Sequence, residues 1–370
     1  MDGALIGHGI STAKAFRVRN CRKLALPLIL VCILLCRSDG SPQTTTAFPA
    51  SSKTPFLASI TVAADGSAEF RSLQKALDAL PEIGGVIHVR PGIYRELVTI
   101  NKPKVSLEGT SDDPSKTVIV FNNSHGTVGG TLKSATVSIL GDDFLAERLT
   151  FANDFSVGKE LAPEGSQAVA LLVRGDRAVF RRVRLLGAQD TLFAGSKSCA
   201  SEQGPCVPAR QYFSDCYIEG NVDFIFGDAK AFFQNCEIHA IPHPLIFLTA
   251  QSKHYSDQPS GFVFDHCKVT ADVDAPGIFL GRPWRPYSTV VFLNTDIQAS
   301  LEPAGWREWH PGETHSLDTA FYAEYDSSGR GAAPKRRDSR AKLLSAEQAR
   351  RYSVHEFLFG EDGWNPLNRR

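Results

Sequence analysis

Tyr212-Phe-Ser-Asp-Cys-Tyr-Ile-Glu219, Phe232-Phe-Gln-Asn-Cys-Glu-Ile-His239 and Val263-Phe-Asp-His-Cys-Lys-Val-Thr270 are three renderings of one pattern. An aromatic or apolar pair leads into two mostly polar residues, then a small or apolar position, then an alternating run. Looser copies occupy Phe144–Phe151, Val179–Leu186 and Val291–Gln298. A unit recurring at about 20–35 residues is too short to bury its own apolar face, so copies must stack on one another. Parallel stacking of such units predicts a right-handed parallel β-helix, an all-β solenoid with alternating apolar positions turned inward. A β-sandwich is disfavoured because Asn-Gly hairpin turns are scarce.

Outward from the repeat, Gly85–Val89, Leu97–Ile100, Val105–Leu107, Val118–Phe121 and Ala135–Leu140 read as further short strands. Leu73, Ala76, Leu77 and Leu80 follow helical spacing within 71–80, and Ser345-Ala-Glu-Gln348 resembles a capping box opening a helix over 346–352. These two helices are expected to act as terminal caps, because an open coil stack is an exposed edge. The basic run Lys335-Arg-Arg337 reads as solvated surface.

Lys14, Arg17, Arg19, Arg22 and Lys23 precede the uncharged run Leu24–Cys36. That run is short for a hydrocarbon core of ~30 Å and predicts a signal peptide within 1–41, with a signal anchor as the rival. Residues 42–57, rich in Ser, Thr and Pro, read as a flexible leader to a catalytic domain over 58–370. The whole chain carries 40 basic and 40 acidic side chains; without residues 1–41 these become 34 and 38, a formal charge of −4. Nucleic-acid binding is not suggested.

Five cysteines remain. Cys216, Cys236 and Cys267 fill one slot of three successive repeats, and the reading prefers a Cys216–Cys236 bridge with Cys267 left as a buried thiol. Cys199 and Cys206 flank the polar insertion Ser198–Pro208 and are expected to close it on themselves. Asn122-Asn-Ser124 is a glycosylation sequon.

Asp190 and Asp223 follow the strands of adjoining repeats by a few residues. Stacking therefore predicts two carboxylates side by side on one outer face, with protonation states that split. Arg282 would keep one of them ionised. Gln167 and Gln189 carry neutral amide donors suited to a developing oxyanion, and Trp284 is a candidate sugar platform. No Gly-x-Ser-x-Gly elbow occurs, and Pro242 and Pro244 spoil the helix that would aim His239 and His243 at one metal.

Gly92-Ile-Tyr-Arg-Glu96, Gln167-Ala-Val-Ala-Leu171, Gln189-Asp-Thr-Leu192, Asp223-Phe-Ile-Phe-Gly227 and Leu280-Gly-Arg-Pro-Trp284 resemble, in order, the five signature motifs of the pectin methylesterases. The resemblance covers about residues 58–366. It implies hydrolysis of the C6 methyl esters of homogalacturonan in the plant cell wall, by a secreted enzyme with no metal or cofactor. Asp223 would be the nucleophile, Asp190 the proton donor and later the base, Gln167 and Gln189 the oxyanion hole, and Arg282 the partner of Asp223. Thr131, Gln167, Arg282 and Trp284 would contact the polysaccharide. The resemblance also implies a monomer and allows an inhibitor protein as partner. Ser166 departs from the His usual in the family. A pectate lyase would need a calcium cluster and a polygalacturonase wider-spaced carboxylates; neither pattern is seen. A non-catalytic wall-binding solenoid would normally lack one of the aspartates.

Overall fold

Each repeat folds as strand, corner, strand. In the copy at 212–219 the chain runs from the strand Arg210–Ser214 through Asp215 into the strand Tyr217–Gly220. Asp215 takes a left-handed conformation with φ 54°, and Arg148, Arg182, Asn235, His266 and Asn294 do so at the same corner of the other copies. The two polar residues of the pattern are therefore a bend. Short polar side chains tolerate such a bend best, and the small or apolar residue after it points into the core.

The computed structural model describes residues 58–156, 164–201, 204–273, 275–310 and 312–368. The segments read as a signal peptide and a flexible leader lie outside them. The described chain winds into three parallel sheets of eleven, eight and seven strands, a parallel β-helix. No helix among the described residues is long and apolar enough to cross a membrane.

The register repeats from coil to coil, Phe180 over Phe213 over Phe233 over Phe264 over Phe292. These rings stack at centroid separations of 4.5, 4.8, 4.5 and 4.6 Å and are fully buried. The next rung in that column is not apolar. Glu324 lies opposite Phe292, buried, and meets Arg337 through Nε–Oε1 at 2.6 Å and Nη2–Oε2 at 3.3 Å. Their side chains are 3% and 4% exposed. Arg337 also donates to the Gly331 carbonyl at 2.8 Å. The basic run thus divides: Lys335 and Arg336 are exposed as expected, whereas Arg337 turns inward because a buried carboxylate demands a partner. Trp306, stacked on Tyr322 at 4.1 Å, closes the same end.

Helix α1, Leu73–Ala79, is capped by Ser72 and sends Leu73, Ala76 and Leu77 into the main core beside the first coils. Helix α2, His125–Val128, carries a Ser124 capping box. Helix α3, Ala346–Arg350, has the Ser345/Gln348 capping box read from the sequence, and α4, Val354–Leu358, follows it. Val354, Phe357 and Leu358 pack on Val179, Tyr212, Phe232 and Val263, the outward residues of the eleven-stranded sheet. The C-terminal helices therefore cover a flank rather than the end of the stack.

The expected Cys216–Cys236 bridge is absent: Cys216, Cys236 and Cys267 are all free and buried. Neighbouring rungs hold their Cβ vectors parallel about 4.8 Å apart, whereas a disulfide brings Cβ atoms to ~3.8 Å. Each thiol instead donates to a carbonyl of the preceding coil, Cys216 to Phe180, Cys236 to Phe213 and Cys267 to Phe233, at 3.6, 3.5 and 3.3 Å. Cys199 and Cys206 do form a disulfide, facing each other across a two-stranded antiparallel hairpin.

Arg337→Ala would strand Glu324 in the core and is expected to cost about 3–5 kcal/mol in denaturant unfolding. Replacing both residues with leucine is expected to cost far less. Equal losses in the two variants would contradict this.

Candidate active site

The third sheet begins just after Asp190 and Asp223. Leu192 pairs with Ile225, so the two aspartates, each two residues upstream, occupy one column on adjacent coils, about 4.8 Å apart along the stack. The Asp190 N–H donates to the Val222 carbonyl at 3.1 Å. Both aspartates have left-handed backbones, φ 64° and 52°, which tips their side chains outward at the corner. Asp223 is followed by a second constraint. A Cβ on Gly227 would lie 2.2 Å from the Ala194 carbonyl oxygen, so the motif must end in glycine for the coils to touch.

Arg282 arrives two coils later. The strand Ile278–Gly281 lies so close to the previous coil that a Cβ on Gly281 would meet Thr249 Oγ1 at 2.0 Å. From there the guanidinium reaches back to grip Asp223 with both arms, Nε to Oδ1 at 2.9 Å and Nη2 to Oδ2 at 2.6 Å. It is held between two rings, its Cζ 4.1 Å from the centre of Phe247 and 4.3 Å from that of Trp309. Nη1 donates to the Trp309 carbonyl at 3.3 Å.

Asp190 and Asp223 are 8% and 6% exposed. Burial, joined by the charge of Asp223, pushes Asp190 well above the ordinary carboxylate range. Burial also raises Asp223, but the bonds from Arg282 oppose it. Of the pair, Asp190 keeps the proton and Asp223 the charge.

A cavity of about 300 Å³ opens over the pair, lined by Thr131, Gln167, Gln189, Asp190, Asp223, Phe226, Arg282, Trp284 and Trp309 among others. Gln167 buries its amide oxygen without a partner among the described residues. Gln189 has its amide oxygen taken by the Ser166 hydroxyl at 2.9 Å. Every residue singled out from the sequence for chemistry or polysaccharide contact thus borders one cavity. Phe247 and Trp309, around the guanidinium, were not foreseen, and Ser166, behind the amide, was marked only as a departure from the family's His. The pair Trp306-Arg-Glu-Trp309 in a loop was the one available signal for Trp309; nothing in sequence spacing marks Phe247.

Other clusters stay apart. A cavity of about 380 Å³ lies on the far side of Gln189, but its acids are engaged, Asp154 by Arg95 and Glu219 by Tyr217. His239 bonds Thr270, and His243 bonds the Leu245 backbone. The Cys199–Cys206 hairpin is anchored through Tyr255, whose hydroxyl accepts from the Cys206 N–H at 3.0 Å, and does not border the aspartate cavity.

A family model, Pectinesterase, matches residues 59–361. The Arabidopsis thaliana protein described as probable pectinesterase/pectinesterase inhibitor 13 is 36% identical over 315 residues, covering 81% of this chain and 48% of its own length. This chain spans about half the length of the first curated relatives it matches. A pectin methylesterase from carrot superposes with a TM-score of 0.72 at 32% identity, over 81% of this chain and 92% of the carrot chain. A pectin methylesterase crystallised with a hexasaccharide gives 0.65 at 29%, over 83% and 98%. Carrying this fold and matching the family model over most of its length, the chain belongs to the pectinesterase family.

Proposed function

We propose that the chain hydrolyses the C6 methyl esters of homogalacturonan, releasing methanol and leaving a free galacturonate, and that it does so through an aspartyl acyl-enzyme. The observation that carries this reading is the stacked pair itself: one carboxylate gripped by Arg282, the other pushed toward its protonated form, in one cavity.

Asp223 attacks the ester carbonyl carbon, and the carbonyl oxygen takes the displaced electron pair. The amide N–H groups of Gln167 and Gln189 receive that oxyanion. As the C–O bond to the methoxy group breaks, Asp190 gives its proton to the departing methanol. The Asp190 carboxylate then removes a proton from water, which attacks the acyl carbon and frees Asp223. The scheme uses no metal and no cofactor. Thr131 and Trp284 flank the pair as polysaccharide contacts, with Trp309 stacked 6.5 Å from Trp284; the hexasaccharide complex of a relative supports an extended sugar ligand.

Residues 58–370 form the catalytic domain in this reading, delivered to the cell wall by the signal peptide within 1–41 and acting as a monomer. Asn122 is exposed and is the proposed glycan site. An inhibitor protein that covers the cleft is the proposed macromolecular partner.

Asp223→Asn is expected to keep the far-ultraviolet circular dichroism of the wild type while methanol release from methylated pectin falls by about 10⁴-fold. Near wild-type release would remove the nucleophile assignment. The raised Asp190 also carries a stability signature. Its folded form holds a proton that the unfolded chain gives up near pH 3.9, so stability falls as pH rises from there toward the folded value. Asp190→Asn is accordingly expected to be inactive yet to melt higher than wild type at pH 7 and to lose less stability between pH 4 and 7. Parallel Tm-against-pH curves for the two proteins would refute this.

A further inference from the structure

Ser166 is 4% exposed, and its hydroxyl donates to Gln189 Oε1 at 2.9 Å. In this bond the hydroxyl is the donor and Oε1 the acceptor, which leaves the Nε2 end of the amide for the cavity. The terminal torsion of a glutamine is broad and roughly two-fold, so an unrestrained amide presents its oxygen almost as readily as its nitrogen. An amide oxygen turned toward a developing oxyanion would repel it. With Oε1 taken by Ser166, the Nε2 hydrogens are left for the cavity that Gln189 shares with Asp190 and Asp223.

The main chain around Gln189 does not need that hydroxyl. The Ala168 N–H donates to the Gln189 carbonyl at 3.1 Å, and the Asp190 N–H to Val222 at 3.1 Å. Loss of the Ser166 hydroxyl leaves this ladder in place and frees only the amide.

We propose that Ser166 is a positioning residue that holds Gln189 in its donor orientation. It touches no reacting atom and acts through the amide alone. The proposal rests on the reading of Gln189 as an oxyanion donor, and the two are separable by experiment.

The test is kcat and KM for methanol release from methylated oligogalacturonides, with Ser166→Ala, Ser166→Thr, Ser166→Cys, Gln189→Ala and the Ser166→Ala/Gln189→Ala double variant, and Tm measured for each. Ser166→Ala is expected to lower kcat about tenfold, the scale of one lost hydrogen bond, with KM within about twofold. Ser166→Thr restores most of the rate, and Ser166→Cys, a weaker donor, falls between. The double variant matches Gln189→Ala alone, which is slower by about 10²–10³-fold. Wild-type kcat in Ser166→Ala beside a crippled Gln189→Ala overturns the positioning role, as do losses that multiply in the double variant. A rise in KM with kcat unchanged overturns it as well. Near wild-type kcat in Gln189→Ala overturns the oxyanion reading instead.

Discussion

In-register stacking of parallel coils is the constraint from which the rest of this structure follows. Within the three sheets the backbone pairs with the coil above or below, so a residue's neighbours along the stack are set by its position in the repeat. A phenylalanine placed once is placed again, and five rings form a continuous stack from Phe180 to Phe292. The column must end somewhere. It ends in Glu324 and Arg337, an ion pair in a setting where one partner without the other would be strongly unfavourable.

The same rule that stacks rings stacks charges, and at Asp190 and Asp223 it works against stability. Two buried carboxylates on adjacent rungs repel, and the fold keeps them by treating them differently. Asp223 receives two hydrogen bonds from a guanidinium; Asp190, pushed up by burial and by the charge of Asp223, is favoured in its neutral form. Arg282 can supply this only while it stays aligned, and the rings of Phe247 and Trp309 on either side of it restrict its motion. The two carboxylates thus differ in proton affinity before any ligand arrives, the asymmetry that the proposed acid and nucleophile require.

Location matters as much as charge. Both aspartates sit where the chain turns into the third sheet, with the left-handed backbone that the polar corners of the other repeats use. Aspartate tolerates that conformation locally, so corner chemistry and functional chemistry coincide. The close approaches at Gly227 and Gly281 bring the coils near enough for Arg282 to reach across two of them. Rigid ladders on either side then keep the side chains at a fixed spacing.

Residue type and period were enough to specify the solenoid, because an alternating repeat that cannot bury itself has few ways to fold. They also specified the aspartate column, since matching offsets from matching strands must align when coils stack. The α3 capping box and the Cys199–Cys206 hairpin were legible for a similar reason: both are settled within ten residues of chain. Side-chain state across coils was not. Spacing aligned Cys216 with Cys236 but could not show that parallel Cβ vectors hold their sulfurs apart, nor that Arg337 alone in its basic run would turn inward. Phe247, Trp309 and Ser166 come from distant parts of the chain, and their contacts with Arg282 and Gln189 exist only once the coils are wound. The sequence by itself therefore determined that Asp190 and Asp223 share one column, and the tertiary structure decided which other groups close the cavity and how each is held and aimed, because those depend on contacts between residues that no local pattern connects.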